Sequence, residues 1–120
     1  MIPKFRAWST DKKIMAEVRT LRFTDELVET DKFVERSIEG VKLMQSTGLL
    51  DKNGKEIFEG DILGTNDGLL DGVVKYRTDL GMWTNDLLRY NNFERLCSIA
   101  NSREIIGNVY ENPELLEVEI

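Results

Sequence analysis

Four acidic side chains, Asp51, Glu56, Glu59 and Asp61, crowd one short segment. Carboxylates at that density are what holds a hard divalent cation through oxygen, or what works as an acid–base pair in hydrolysis. Turn or capping chemistry is the preferred reading of both Asp51 and Asp61, and the hydrolytic pair ranks below the cation site. The order of a calcium-binding loop is absent, and Asp51 and Asp61 stand at turn positions, where a carboxylate accepts nearby backbone N–H groups. The chain has no histidine, which removes Ser-His-Asp and Cys-His nucleophile pairs, imidazole acid–base catalysis and histidine metal sites. Its single cysteine, Cys97, can form no intramolecular disulfide and reads as a small core residue on an apolar helix face. Asp67-Gly68, Asp71-Gly72 and Gly81 are hairpin turns, because no Gly-x-x-x-x-Gly-Lys-Ser/Thr run leads a strand into a helix. The expectation is a protein that is not an enzyme and uses no metal or cofactor.

A different chemistry is open to Trp8, Tyr76, Trp83, Tyr90 and Phe93 together with Arg6, Lys75, Arg77, Arg89 and Arg95. Aromatic faces stack bases while Arg and Lys hold phosphates, as in oligonucleotide-binding barrels. The competing reading makes the aromatics core and the basic residues ordinary partners of an acidic excess. Sixteen basic against twenty-two acidic residues give a net charge of −6, and no Lys/Arg run offsets it, so the second reading is preferred. An aromatic groove would serve a peptide equally well. Trp8, Tyr76, Arg77, Trp83 and Arg89 are the expected interaction surface.

These side chains must be positioned mostly by strands. Lys4 to Trp8 alternates in hydropathy, and Lys13 to Phe23 returns as a longer strand whose apolar side changes near Arg19, the mark of a bulge. Thr24 to Gly40 fits either a helix capped by Thr24 or a short strand near Phe33, and is read as a variable excursion containing some strand. Val41 to Ser46 is a strand, and Asp51-Lys52-Asn53-Gly54 is a turn in which Asn53 and Gly54 tolerate positive φ. Lys55 to Phe58, Ile62-Leu63, Val73 to Arg77 and Met82-Trp83 follow as short strands separated by Gly/Asp/Asn turns, with Leu87 to Tyr90 continuing the meander. Phe93, Leu96, Cys97 and Ala100 fall at i, i+3, i+4 and i+7, which predicts a helix capped by Asn91 or Asn92. Arg103 to Tyr110 is a strand. Asn112-Pro113-Glu114 starts a last helical turn that Leu115, Leu116 and Val118 would dock.

Three ordered stretches then carry a resemblance. Met44-Gln45-Ser46-Thr47-Gly48-Leu49-Leu50-Asp51-Lys52-Asn53-Gly54-Lys55-Glu56-Ile57-Phe58-Glu59-Gly60-Asp61-Ile62 is similar to the central motif of the YopX-like family of phage and prophage proteins. Ser46 stands where that family prefers an aromatic residue. Lys4-Phe5-Arg6-Ala7-Trp8 and Ile105-Ile106-Gly107-Asn108-Val109-Tyr110-Glu111-Asn112-Pro113-Glu114-Leu115-Leu116 match near the two ends, so the resemblance spans essentially the whole chain. It implies a mobile-element origin and a β-rich fold, and brings no established activity. Thr47, Gly48, Asp51, Asn53, Gly54, Gly60, Asp61, Gly107 and Asn108 are read as motif residues with a structural role.

At 120 residues, 41% hydrophobic and 32% charged, the chain has the composition of one globular domain, residues 1–120, able to bury a core without metals or disulfides. Met1-Ile2-Pro3-Lys4 opens without an apolar run, and no stretch approaches the ~20 apolar residues of a membrane helix. The expected compartment is the cytoplasm of a bacterial host, without membrane contact. The architecture expected is mainly β, α+β at most: a small SH3-like barrel or rolled antiparallel sheet around the motif hairpin, with an N-terminal hairpin and one or two short helices. The function expected is that of a protein-interaction or self-associating accessory module, with nucleic-acid binding in phage replication or gene control as the alternative.

Overall fold

The structure, a computed structural model, describes residues 4–117. They form two antiparallel sheets of six and five strands, one short α-helix and three 3-10 turns, in two compact units that divide after Ser46. No helix among the described residues is long and apolar enough to cross a membrane.

The first unit is a sheet of hairpins. Strands β1 (Phe5–Ser9), β2 (Ile14–Arg22), β3 (Leu27–Thr30) and β4 (Val34–Glu35) precede a 3-10 turn at Ile38–Gly40 and the long strand β5 (Val41–Leu50). The order is β4-β3-β2-β1-β5, and β5 continues past the division to lie beside β6 (Glu56–Phe58). Ala7 faces both Ala16 and Leu43 in register, so small side chains at the sheet centre leave room for Val28, Phe33 and Val41 to complete the core. The expected change of face in β2 is a register shift between Val18 and Thr20. Thr24 to Gly40 holds no α-helix: Val28 and Phe33 both reach the core from an extended hairpin arm. Thr30 closes that arm, its hydroxyl accepting the N–H groups of Lys32 and Phe33 and donating to the Phe33 carbonyl.

The second unit holds the meander. Strands β7 (Asp61–Gly64), β8 (Gly72–Arg77), β9 (Met82–Leu87) and β10 (Phe93–Arg95) are followed by α1 (Leu96–Ile99), a 3-10 turn at Ala100–Ser102, β11 (Glu104–Asn108) and a final 3-10 turn at Pro113–Leu116. The sheet runs β10-β9-β8-β7-β11, and Ile57, Leu63, Val74, Leu96 and Ala100 form its buried cluster, with Trp83, Ile99 and Ile105 packed against it. This sheet does not close into the expected SH3-like barrel: β10 and β11 are both edges. After only three residues of β10 the chain turns into α1, which packs on β9 and β10.

The helix expected from Phe93 to Ala100 is shorter than its apolar stripe, because Phe93 to Arg95 pair with β9 as strand. Leu96 and Ala100, four residues apart, are the buried pair, with Ile99 packed beside them; Cys97 lies about 100° around from Leu96 and is exposed rather than buried. Asn112 does not cap the last turn with its side chain. Its Oδ1 accepts the Asn108 N–H instead, at 3.1 Å. Leu116 is exposed, and Val118 lies outside the described residues, as does the start of the chain at Met1 to Pro3.

Candidate interaction surface

The motif residues are engaged with backbone. Asp51 is 4% exposed. Its Oδ1 accepts the N–H groups of Asn53 and Lys55 at 2.9 Å, and its Oδ2 accepts the Ile105 N–H at 3.0 Å. Burial pushes this carboxyl's pKa up, but the bonds from Ile105, Lys55 and Asn53 outweigh it and hold the group below the usual carboxylate range. Asp61 accepts the Phe58 N–H at 2.7 Å, and Thr47 donates to the Ile57 carbonyl and accepts the Leu49 N–H. Asn108 accepts from Tyr110 and Glu111. Gly48, Gly54 and Gly60 adopt φ of 78°, 80° and 86°, where a side chain would be strained. At Gly107 a Cβ would meet the Asn112 Oδ1 that holds Asn108 in place. Among the described residues no group of three or more acidic or cysteine side chains is placed to hold a metal ion, so the acidic run is not gathered into a cation site.

The two faces of the five-stranded sheet differ in chemistry. On the inner face Glu94 sits opposite Asn85 in register and receives both terminal nitrogens of Arg103, at 2.6 and 2.7 Å. Asn85 donates to Glu94 Oε1 at 3.1 Å. The Arg103 hydrogen bonds hold Glu94 below its ordinary pKa against burial and raise Arg103. This network was not anticipated from the sequence; only the cross-strand register brings its members together.

On the outer face, register places Phe93 beside Asp86 and Val73, Arg95 beside Thr84 and Lys75, and Arg77 beside Met82. An open groove of about 440 Å³ lies here. It is lined by Lys75, Arg77, Asp86, Leu87, Tyr90 and Phe93, together with Asn91 and Asn92. The Arg77 guanidinium lies 5.1 Å from the Phe93 ring centre while Nε and Nη2 donate to Asp79 at 3.1 and 3.0 Å. Those bonds raise the Arg77 pKa and lower that of Asp79. Lys75 Nζ stands 4.0 Å from Asp86, whose other oxygen accepts the Thr84 hydroxyl at 2.8 Å. Two of the groove's cations thus already have acidic partners.

The expected surface residues are divided among these places. Arg77 lines the groove, and Arg89 is exposed in the loop between β9 and β10. Tyr76 and Trp83 belong to the inner face, as a T-shaped pair with ring centres 5.2 Å apart; Trp83 packs on the core and Tyr76 is 45% exposed. Trp8 lies on β1 in the first unit, between Met15 and Lys42 in register. Asp86 and the two asparagines were missed as surface candidates. The one signal for them was the run Tyr90-Asn91-Asn92 at a strand-to-strand turn.

The comparisons with known proteins agree on lineage. The chain is similar over 98% of its length to the crystal structure of protein EF1440 from Enterococcus faecalis, at 33% identity and a TM-score of 0.71, with 99% of that chain covered. No match was found among curated proteins. The YopX protein family model matches residues 4–117, through both units and all three of the ordered stretches, and the chain therefore belongs to the YopX family.

Proposed function

We propose that this YopX protein is a non-enzymatic interaction module, encoded by a phage or prophage, that binds another protein through the groove on the outer face of its five-stranded sheet. The observation that carries this is the pairing of cations in that groove. Arg77 is held by Asp79 and Lys75 stands beside Asp86. A surface built for phosphates presents its cations unpaired, since release of condensed counterions drives that binding. What the groove offers is a mixture of both charges, amides and the half-exposed rings of Tyr90 and Phe93, which suits a polypeptide. The motif carboxylates, engaged with backbone N–H groups, support a non-catalytic reading.

Affinity isolation from cells tests this, with wild type compared to a Tyr90→Ala, Asn91→Ala variant of unchanged melting temperature. The expected result is a protein that survives nuclease and high salt and is lost with the variant. Recovery of nucleic acid that leaves in high salt would replace this reading with the nucleic-acid one.

A further inference from the structure

The two edges of the five-stranded sheet are treated differently. Along β11, the Lys52 N–H donates to the Arg103 carbonyl at 2.9 Å and Asp51 takes the Ile105 N–H. The motif turn therefore covers that edge, as sheet proteins commonly do to prevent stray pairing. The β10 edge has no such cover among the described residues. Leu87 N–H donates to the Asn92 carbonyl at 3.1 Å, which sets the phase of the ladder. Glu94 is then the residue that exchanges bonds with Asn85, and the N–H and C=O groups of Phe93 and Arg95 point away from β9. The Phe93 N–H is taken by the Asn92 side chain at 2.8 Å. Arg95 is the N-cap of α1, so its carbonyl starts the helix. That leaves the Phe93 carbonyl and the Arg95 N–H, one acceptor and one donor aimed outward at the spacing an added strand requires.

Charge adds a preference. Residues 47–120 carry seven Lys and Arg against fourteen Asp and Glu. Three of those seven, Lys75, Arg77 and Arg95, share the outer face beside this edge, and Lys75 and Arg77 already stand beside Asp86 and Asp79. Arg95 is exposed and forms no ion pair among the described residues. Resting on the reading of the groove as a protein-binding surface, we infer that its partner docks as an extended, acidic segment adding one strand to β10. Backbone bonds to Phe93 and Arg95 hold it, and an acidic side chain on its outward face meets the Arg95 guanidinium.

The test uses a fluorescein-labelled synthetic peptide in which glutamate alternates with valine. Controls have lysine for glutamate, or a central proline, and a single-stranded oligonucleotide is run beside them. The acidic peptide should bind in fluorescence anisotropy and the controls should not. Arg95 has φ −69°, which proline adopts without strain, so Arg95→Pro removes the outward donor and the charge while leaving the β9 pairing intact. It should weaken binding about tenfold or more, the size of one lost charge-supported hydrogen bond. Arg95→Glu, which keeps the N–H, should also weaken the acidic peptide and admit the lysine one. Equal binding of the proline-containing peptide, or an unchanged affinity in Arg95→Pro and Arg95→Glu, overturns the inference. So does a mass increase in light scattering that Arg95→Pro abolishes, which would assign the edge to a second copy. If no peptide binds while the Tyr90-dependent protein is still recovered from cells, strand addition fails and the groove reading stands; loss of that protein as well removes both.

Discussion

At Asp51 one carboxylate serves three backbone donors on two segments of the chain. Asp51→Asn places an amide N–H₂ where at least one donor now points, and should cost about 2 kcal/mol in urea unfolding, the penalty of a buried group left unmatched. The pH dependence follows from the same bonds. Asp51 and Glu94 both have folded pKa values below their ordinary 3.8 and 4.5, so the unfolded chain binds protons more readily. Their contribution to stability is fully present above those ordinary values and is lost as pH falls through the depressed ones. Midpoints of urea unfolding should therefore be insensitive to these two groups above about pH 5 and fall below it, more shallowly in Asp51→Asn.

Elements are held together by contacts that a reading of the chain alone sees only in part. Glu94 and Arg103 join β10 to the start of β11 with a bidentate pair whose side chains are 21% and 9% exposed. Arg103→Met should cost about 3 kcal/mol, mostly from the carboxylate left behind, and Glu94→Leu in the same chain should restore much of it. Gly72 is a second tie. A Cβ there would lie 2.4 Å from Asn85 Oδ1 and 2.7 Å from the Asp86 carbonyl, and the second of these is backbone. Gly72→Ala should destabilise by about 2–3 kcal/mol because β8 and β9 must part. At Gly54, with φ 80° but nothing near the added methyl, Gly54→Ala should cost only about 1 kcal/mol. Strands and turns of the motif were legible because alternation and Asn-Gly chemistry are local. The bulge after Val18 was legible because it shifts the apolar side of β2. Phe93 was misassigned because a three-residue strand running into a four-residue helix imitates one helical stripe. Openness of the sheet depends on where β10 stops, which is a matter of tertiary packing, and the division of aromatics between its two faces depends on register. Hence Arg77 was placed in the candidate site and Asp86, Asn91 and Asn92 were not.

For the molecule as a whole, the charge pattern and the unequal sheet edges point the same way. The net charge of −6 works against a nucleic-acid partner, so at physiological salt neither DNA nor RNA should shift in a binding assay. The motif turn seals one edge of the second sheet, and under the proposed function contact with a partner falls to the groove and to β10. Photo-crosslinking in cells tests this division of labour most directly. A benzophenone amino acid is placed at Tyr90 in the groove lining and, in a separate chain, at Asn53 in the motif turn; both positions are exposed. A discrete protein adduct is expected from Tyr90 and none from Asn53. Adducts from Asn53 but not from Tyr90 would contradict it, and would make the motif turn itself the contact surface.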